Sequence, residues 1–522
     1  MFKRNKQNGI TDFGFQTGPE ILIAGLIACI LLLMAGGCQE SPANQPEAII
    51  ATVGNLSISV EEFRINYELG FPNLKTGKHP RQTYLNFLID EKLLALEAYR
   101  LGMHKRPEMV EKIENLRKEL LIGEVFNEFV DESIVISDEE IEEVRLKDHV
   151  YFRLRFLPVS EMLEAERLSK VLIRNGFDQA FSEWKAGLSE QRYRASDFDS
   201  GLISWSDIDP ELMDVISGLS IGSVSQPIPY HGNFLLVQVT DIQRTPLTNI
   251  SNETEKQRYQ KVLLHKKAKI RSREFIKELM SSSELRIKAG AYKELERVLW
   301  TWLQSQGEIV NLYDALELSE DPSADTIHSM YDRVLLTTQS DQWTISRFVK
   351  EYPYSRYPFS TVSFDEFRSD LYDGFGLLLR DQKFLELAES KGYGDLPTLN
   401  REVELWSDKW VYRELLSEIR DTVSVLPSDM TAYFLEHRSY WASEVRQDEV
   451  SSELEEKVRH AKTRASVNAY VLGLRKRIEI SVDTEMLSRL HLTDVSKPSS
   501  SMITIVKGWS GQPAWPVVDP GR

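Results

Sequence analysis

The sequence predicts an α+β multidomain protein, mostly helical, in which one small α+β domain is inserted into the first of two similar helical modules. Three observations predict this fold class. Apolar residues recur at helical spacing over long stretches, two of these stretches repeat each other, and a strand-containing piece interrupts only the first copy. With 522 residues, the chain can bury two or more hydrophobic cores.

The first 37 residues have the order of a secretory signal. Basic residues come first, the apolar run ILIAGLIACILLLMAGG (21–37) follows, and Cys38 comes next. The stretch LMAGGC (33–38) resembles the lipobox of bacterial lipoproteins, which implies that the signal is removed and Cys38 is acylated. The alternative is a transmembrane anchor, because the run approaches the ~17–25 residues that span a bilayer.

The residues after the signal indicate a tether on a membrane surface. Cys29 lies inside the signal, so Cys38 is the only thiol of the mature chain and no internal disulfide can form. Residues 38–47 are polar and contain proline, which is typical of a flexible linker. Gln39 follows the cysteine where an aspartate would favour the inner membrane, so we expect an exported, periplasm-facing lipoprotein of the outer membrane.

Composition excludes several function classes. The net charge of −17 argues against binding to nucleic acid and to anionic lipid. The chain has no phosphate-binding loop, HExxH motif, dinucleotide turn or zinc-spaced cysteine pair, and its nine histidines are scattered. We therefore expect neither a metal nor a small-molecule cofactor.

The two helical modules begin with similar segments. Residues 52–63, TVGNLSISVEEF, predict a strand, a turn and a helix whose N-cap is Ser59, with Glu62 three residues later as in a capping box. Residues 342–348, QWTISRF, repeat the end of this pattern.

A longer repeat follows at a constant offset of 290 residues (397 − 107). FLIDEKLLALEAYRLGMHKRP (87–107) matches LLLRDQKFLELAESKGYGDLP (377–397) without a gap. In both copies we expect a glycine to close the helix and a proline to prevent its continuation. Further on, residues 269–288 resemble residues 464–482, each as a helix that runs into a short strand.

About a hundred residues separate the two parts of the first copy and almost none separate those of the second, which predicts an inserted domain. The complete division is a signal (1–37), a tether (38–47), helical module 1 (48–148), the inserted domain (149–246), the returning helix of module 1 with a linker (247–332), helical module 2 (333–445), its returning helix (446–492) and a flexible tail (493–522).

The inserted domain has the predicted order β, α, α, loop, α, β. Its strand 151–159 alternates apolar and polar residues, 161–190 is helical, 195–205 is a loop, 209–219 is a short helix, and Phe234–Val239 is apolar.

The segment GLISWSDIDPELMDVISGLSIGSVSQPIPYHGNFLLVQVTD (201–241) resembles the parvulin-type peptidyl-prolyl isomerases, in particular through its motif L-x-x-G-x-V-S-x-P (219–227). The flanking helical module resembles the periplasmic chaperone SurA and the foldase lipoprotein PrsA. The resemblance extends over about 48–290, and 333–485 looks like a second copy without a parvulin domain.

The resemblance implies a substrate pocket but not the usual polar groups in it. Parvulins have a histidine in the first strand and another after the last turn, and these positions are Phe156 and Phe234 here. Ile208 and Leu212 take the places of the family's apolar shelf. The expected pocket therefore consists of Phe156, Ile208, Leu212 and Phe234.

Three polar residues are candidates to replace the missing histidines. Asp197 and Asp199 lie in the central loop, and His231 lies three residues before Phe234, in a Pro/Gly turn on the rim of the expected pocket. We expect His231 to be a turn residue.

The resemblance implies a folding chaperone whose clients are unfolded or outer-membrane polypeptides and whose isomerase domain is weak or inactive. Two alternatives remain open at this point. One is an active peptidyl-prolyl isomerase that uses Asp197, Asp199 or His231, and the other is a structural adaptor in an envelope complex.

Overall fold

The computed structural model describes residues 48–187, 193–230, 233–246, 253–281, 286–307, 309, 311–338, 341–354, 357–438, 451–492, 506–507, 512–513, 516 and 518. The protein is an α+β multidomain chain, predominantly helical, with small antiparallel sheets. Among the described residues, no helix is both long and apolar enough to span a membrane.

The helices are α1 (Val60–Leu69), α2 (Pro80–Arg100), α3 (Pro107–Phe126), α4 (Asp138–Lys147), α5 (Met162–Asn175), α6 (Phe177–Ala186), α7 (Pro210–Ile216), α8 (Glu253–Ser281), α9 (Ala289–Leu303), α10 (Leu312–Glu317), α11 (Pro322–Ser329), α12 (Ile345–Glu351), α13 (Phe364–Lys391), α14 (Pro397–Asp421), α15 (Pro427–Glu436), α16 (Ser451–Arg475) and α17 (Thr484–Arg489). The strands are β1 (Ile49–Val53), β2 (Leu56–Ser59), β3 (Val150–Val159), β4 (Asp199–Ser204), β5 (Ile228–Tyr230), β6 (Asn233–Arg244), β7 (Arg286–Ile287), β8 (Val334–Thr337), β9 (Gln342–Thr344), β10 (Ile480–Val482), β11 (Val506–Lys507) and β12 (Gln512–Pro513).

The described chain divides into two compact units. The central unit is Gly123–Leu387, and the terminal unit combines the described parts of Cys29–Ile122 and Ala388–Arg522. These units do not follow the division expected from the repeat, because each of the two predicted modules contributes to both.

The terminal unit is built on a three-stranded antiparallel sheet of order β10-β1-β2, in which Thr52 pairs with Ser481. The helices α2, α14 and α16 pack on one another beside it. Ser59 caps α1 as predicted, because its side chain accepts the backbone N–H of Glu62 at 3.0 Å. The carboxylate of Glu62 does not complete a capping box and instead binds Lys92 and Arg401.

The central unit has its own sheet, β7-β8-β9, in which Ile287 pairs with Leu336. Thr344 caps α12 by accepting the N–H of Arg347 at 3.2 Å, the counterpart of Ser59 in the first copy. The stretch expected to be a linker contains α9, α10 and α11, which bury Trp302 completely in the core of this unit.

Each short strand at the end of one sequence repeat pairs with the hairpin at the start of the other. Strand β7, which follows the returning helix of the first copy, pairs with the hairpin of the second copy. Strand β10, at the end of the second copy, pairs with β1 of the first. Similarity between the copies cannot predict this arrangement, since each hairpin accepts either closing strand equally well on sequence pattern alone.

The helix ends of the long repeat are the same in both copies. Gly102 and Gly392 adopt left-handed conformations with φ of 78° and 74°, and a short 3₁₀ turn follows each. The next helices, α3 and α14, begin at Pro107 and Pro397. The predicted helix-closing role of these glycines is confirmed, because glycine adopts this φ without strain. The prolines lie in the first turn of the next helix, a position that suits proline.

The inserted domain folds around a four-stranded antiparallel sheet of order β4-β3-β6-β5. Its two ends are adjacent, since Val150 pairs with Arg244 and the N–H of Thr245 donates to the carbonyl of His149 at 3.0 Å. The predicted order of elements is observed with two additions: the expected central loop contains strand β4, which pairs with β3, and the short strand β5 precedes β6 and pairs with it.

Candidate functional site

Phe156, in the place of the first family histidine, lies inside the core of the inserted domain. It is 5% exposed on β3, and its ring centroid lies 5.9 Å from that of Phe198. Phe198 is itself surrounded by further aromatic rings at 5.0 to 5.8 Å, those of Phe181, Trp184 and Tyr193. Phe156 therefore contributes to an aromatic cluster that fixes the loop before β4 against the sheet.

Phe234, in the place of the second family histidine, does not meet Phe156. Phe156 is opposite Val237 in the β3–β6 ladder, whereas Phe234 is opposite Val159. Directly opposed residues share a face of the sheet and faces alternate along a strand. Because three residues separate Phe156 from Val159, Phe156 and Phe234 project from opposite faces, and Phe234 is half-buried.

The two shelf residues are also core residues. Ile208 is 1% exposed and Leu212 is fully buried in the same core cluster as Phe156. Asp209, between them, caps α7 by accepting the N–H of Glu211 at 3.1 Å. The cap fixes where α7 begins, and Leu212 in the first turn of this helix is buried in the core. The expected pocket of four residues stays a prediction, and three of its members have almost no free surface in the structure.

Helix α8 lies over this part of the inserted domain and is bound to it by charged groups. Lys266 donates to the carbonyl of Ile208 and lies over the Trp205 ring, with Nζ 4.4 Å from the centroid. Lys269 binds the carboxylate of Asp209, and Arg273 binds Glu211. Lys266 is buried at this contact, and its burial lowers its pKa to about 8.

Asp148 links α8 to β4 from the base of the inserted domain. Its carboxylate accepts hydrogen bonds from Ser204 Oγ at 2.6 Å and from the N–H of Ser206 at 3.0 Å, and it binds Arg258 at 2.8 Å. Burial alone raises the pKa of Asp148, but the hydrogen bonds outweigh it and hold the pKa below its usual value. Nothing in the sequence pattern singles out Asp148 except its position two residues before β3.

The two candidate aspartates have structural partners. Asp197 accepts the N–H of Arg194 at 2.9 Å and closes a 3₁₀ turn. Asp199 binds Arg153 at 2.9 Å and accepts the N–H of Gly201 at 3.0 Å. Partial burial raises the pKa of Asp199, but the hydrogen bonds from Arg153 and Gly201 lower it by more. The pKa is therefore below its usual value, and this carboxylate is ionised at neutral pH.

His231 and Cys38 lie outside the described residues, so their predicted roles stay predictions. In the described part of the inserted domain, the single imidazole is that of His149, and its Nδ1 lies 2.9 Å from Thr245 Oγ1 where the domain joins the helical module. The described residues thus place no imidazole beside Phe156 or Phe234.

A cluster of buried, paired charged side chains lies in the terminal unit. Lys92 of α2 binds Glu62 at 3.1 Å and Asp408 at 2.7 Å, and Lys409 binds Glu91 at 2.9 Å. We call these five residues, together with Arg401, which binds Glu62 at 2.7 Å, the charged cluster. Its three carboxylates and three cations balance, and Lys92, Lys409 and Glu62 are almost wholly buried.

Two details of the sequence could have indicated the charged cluster. Glu91 and Lys92 interrupt the apolar run of α2, and the pair Asp408 and Lys409 interrupts the apolar run of α14 in the same way. Charged residues are almost never fully buried unless they are paired, so two such pairs in apolar helices indicate that they face each other.

Comparison with known proteins gives weak structural likenesses. No family model matches the sequence, and no curated protein matches it. A solved chain from a study of PEB4 and Cj1289, two structurally related SurA-like chaperones of Campylobacter jejuni, is similar over 46% of this chain and 100% of its own, with 18% identity and a TM-score of 0.23. The peptidylprolyl isomerase PrsA from Bacillus anthracis is similar over 37% of this chain and 96% of its own, with 14% identity and a TM-score of 0.22. PrsA from Bacillus cereus covers 44% of this chain and 90% of its own, with 17% identity and a TM-score of 0.19.

Proposed function

We propose that the protein is an exported lipoprotein that binds unfolded, proline-containing polypeptides as a folding chaperone, and that its inserted parvulin-like domain is a weak or inactive isomerase. The observation that carries the proposal is the set of residues at the expected site of this domain. It combines the parvulin-like motif at 219–227 with phenylalanine at both family histidine positions, and with shelf residues that are buried beside α8.

Chemistry alone does not exclude residual catalysis. The barrier to rotation about a peptide bond, ~18–20 kcal/mol, comes from C–N resonance, and lowering it requires neither a nucleophile nor a proton transfer. It does require that the enzyme hold a twisted imide in a water-free site. Phe156, Ile208 and Leu212 are buried in the core of the inserted domain and are too buried to contact such a substrate, which argues against catalysis at these residues.

The test is a protease-coupled prolyl isomerisation assay on the full chain, run beside an assay of aggregation suppression on the same preparation. We expect kcat/KM at least 100-fold below that of a histidine-bearing parvulin, and suppression of client aggregation at stoichiometric concentrations. His231→Ala and Asp199→Asn should each change the residual isomerisation less than twofold.

Two outcomes would favour the alternatives. High turnover that collapses in His231→Ala or Asp199→Asn would make the protein an active isomerase. Purification with one fixed protein in stoichiometric amounts, without suppression of aggregation, would instead favour a structural adaptor.

Membrane anchoring is tested separately with Cys38→Ser. Because Cys38 is the only thiol after the proposed cleavage site, the serine variant cannot be acylated. We expect unprocessed precursor or soluble protein in place of a processed lipoprotein in the membrane fraction, measured by gel mobility and fractionation. Normal processing and retention of this variant would contradict the lipoprotein proposal.

A further inference from the structure

The end of the chain reaches the core of the terminal unit. Residues 493–522 are rich in proline, glycine and serine and were expected to form a flexible tail. In the part of this tail that the structure describes, Val506–Lys507 pairs with Gln512–Pro513 as a short antiparallel ladder. Beyond it, Pro516 is buried and Val518 has no exposed surface.

Val518 belongs to the main apolar core of the terminal unit, whose other members include residues of β1, α1, α2, α14 and α16. Its backbone also hydrogen-bonds the hydroxyl of Tyr84, a fully buried residue of α2. That hydroxyl donates in turn to the carbonyl of Asn66 at 2.6 Å. Within the described part of the tail, Val518 is therefore held by its apolar side chain and by a backbone hydrogen bond, two types of contact by which proteins bind extended peptides.

Pro516 lines a small cavity beside the charged cluster. The cavity has a volume of about 20 Å³, and its wall consists of Pro516 with α1, α2 and α14 residues Glu62, Leu88, Glu91, Lys92, Leu405, Asp408 and Lys409. A space of this size holds about one water molecule. Because Pro516 forms part of this wall, removal of the tail would expose more of the cavity, whose remaining wall combines charged side chains with two leucines.

The composition of the tail suits this position. Its last twelve residues, GQPAWPVVDPGR, contain three prolines, which restrict the backbone to extended conformations and remove N–H donors that would need partners once buried. The segment thus has the properties of the proline-containing, apolar polypeptides that the proposed function assigns as clients.

We propose that α1, α2 and α14 form a peptide-binding groove that the chain's own tail occupies, and that extended, proline-containing client segments compete with the tail for this groove. The proposal deepens the proposed function and rests on it for the nature of the client. A tethered segment acts at an effective concentration of about millimolar, so the tail excludes weakly binding peptides and yields to clients that bind at several points.

The first experiment uses Val518→Asp in the full chain. A carboxylate at this fully buried position should expel the tail, and Val110→Asp is the matched control because Val110 of α3 lies on the surface of the same unit. The probe is a fluorescein-labelled peptide of residues 511–522, and its binding is followed by anisotropy. We expect at least tenfold tighter binding to Val518→Asp than to the wild type or to Val110→Asp.

The second experiment avoids any loss of folding in the variant. A protease site inserted at 498–501 allows the wild-type tail to be cut after the protein has folded. We expect the cut tail to stay bound on gel filtration and to be displaced by reduced, carboxymethylated α-lactalbumin, which is permanently unfolded.

The outcomes separate the groove from the chaperone function. If the labelled peptide fails to bind Val518→Asp, although the variant has wild-type circular dichroism, or if the cut tail dissociates at once without client, there is no groove. If the peptide binds but unfolded α-lactalbumin never displaces it while still binding the protein, the tail is a structural fastening and clients bind elsewhere. If α-lactalbumin binds no form of the protein, the proposed function fails and only a self-binding tail remains.

Discussion

Lys92 of the terminal unit is costly to bury, because a buried ammonium group must be balanced by opposite charges at short range. Burial alone would lower the pKa of Lys92, but the neighbouring Glu62 and Asp408 outweigh it and raise the pKa. Asp408 also accepts a hydrogen bond from Tyr99 at 2.8 Å. The cluster is thus stable as a set, although each of its charges alone would be costly to bury.

The change Lys92→Met should therefore destabilise the terminal unit by about 3–5 kcal/mol, because it leaves two buried carboxylates without their shared cation. Hydrogen exchange of the α2 and α14 amides measures this loss in the unit concerned. Arg64→Met is the control: Arg64 is partly exposed and pairs with Glu61 and Glu68 on the same helix, so we expect a cost of at most about 1 kcal/mol. Equal effects of the two changes would contradict this view of the cluster.

At the scale of elements, the contact of α8 with the inserted domain depends on Asp209. This residue caps α7, accepts a hydrogen bond from Tyr230 at 3.2 Å and binds Lys269. We expect Asp209→Ala to destabilise α7 and its contact with α8 by about 2 kcal/mol, since the loss of the cap and the loss of the carboxylate that binds the mostly buried Lys269 each cost about 1 kcal/mol.

Hydrogen exchange of residues 209–217 is the appropriate measurement for this change. Asp214→Ala, at an exposed position of the same helix, should leave the exchange within a factor of two. If Asp209→Ala behaves like Asp214→Ala, the charged contacts on α7 do not hold α8 in place.

The elements themselves were largely predictable from sequence, and their partners were not. Capping residues and helix-ending glycines act within a few residues, so Ser59, Gly102 and Gly392 could be assigned their roles directly. The pairing of β1 with β10 depends on residues far apart in the chain, and no local pattern specifies it. The same holds for the expected site. Similarity to a family motif gives Phe156 and Phe234 a position in the sequence, but it does not predict on which face of the sheet each side chain lies.

For the whole molecule, the adjacent ends of the segment 149–246 predict that it can be removed. We expect a chain in which 149–246 is replaced by a short Gly/Ser linker to remain soluble and helical. In the described structure α8 packs on α4 through Ile141, Val144, Tyr259 and Leu263, and none of these residues belongs to the insert. Their burial should hold α8 in place without it.

The deleted protein is compared with the full chain by circular dichroism and by aggregation suppression. Retention of most of the suppression would assign client binding to the helical parts. A folded protein without suppression would assign it to the inserted domain, and an unfolded one would show that the contacts of Asp148 and Lys266 are needed for the helical parts to fold.

The pairing of Thr52 with Ser481 can form only late in the synthesis of the chain. The two residues are 429 positions apart (481 − 52), so the first sheet of the protein lacks its outer strand until almost the entire polypeptide has been synthesised. At ~5–20 residues per second, this interval is roughly 20 to 90 s. During that time β1 presents an unpaired edge, which is a known hazard for aggregation. A protein proposed to protect unfolded chains thus passes through a long period in which it needs such protection itself.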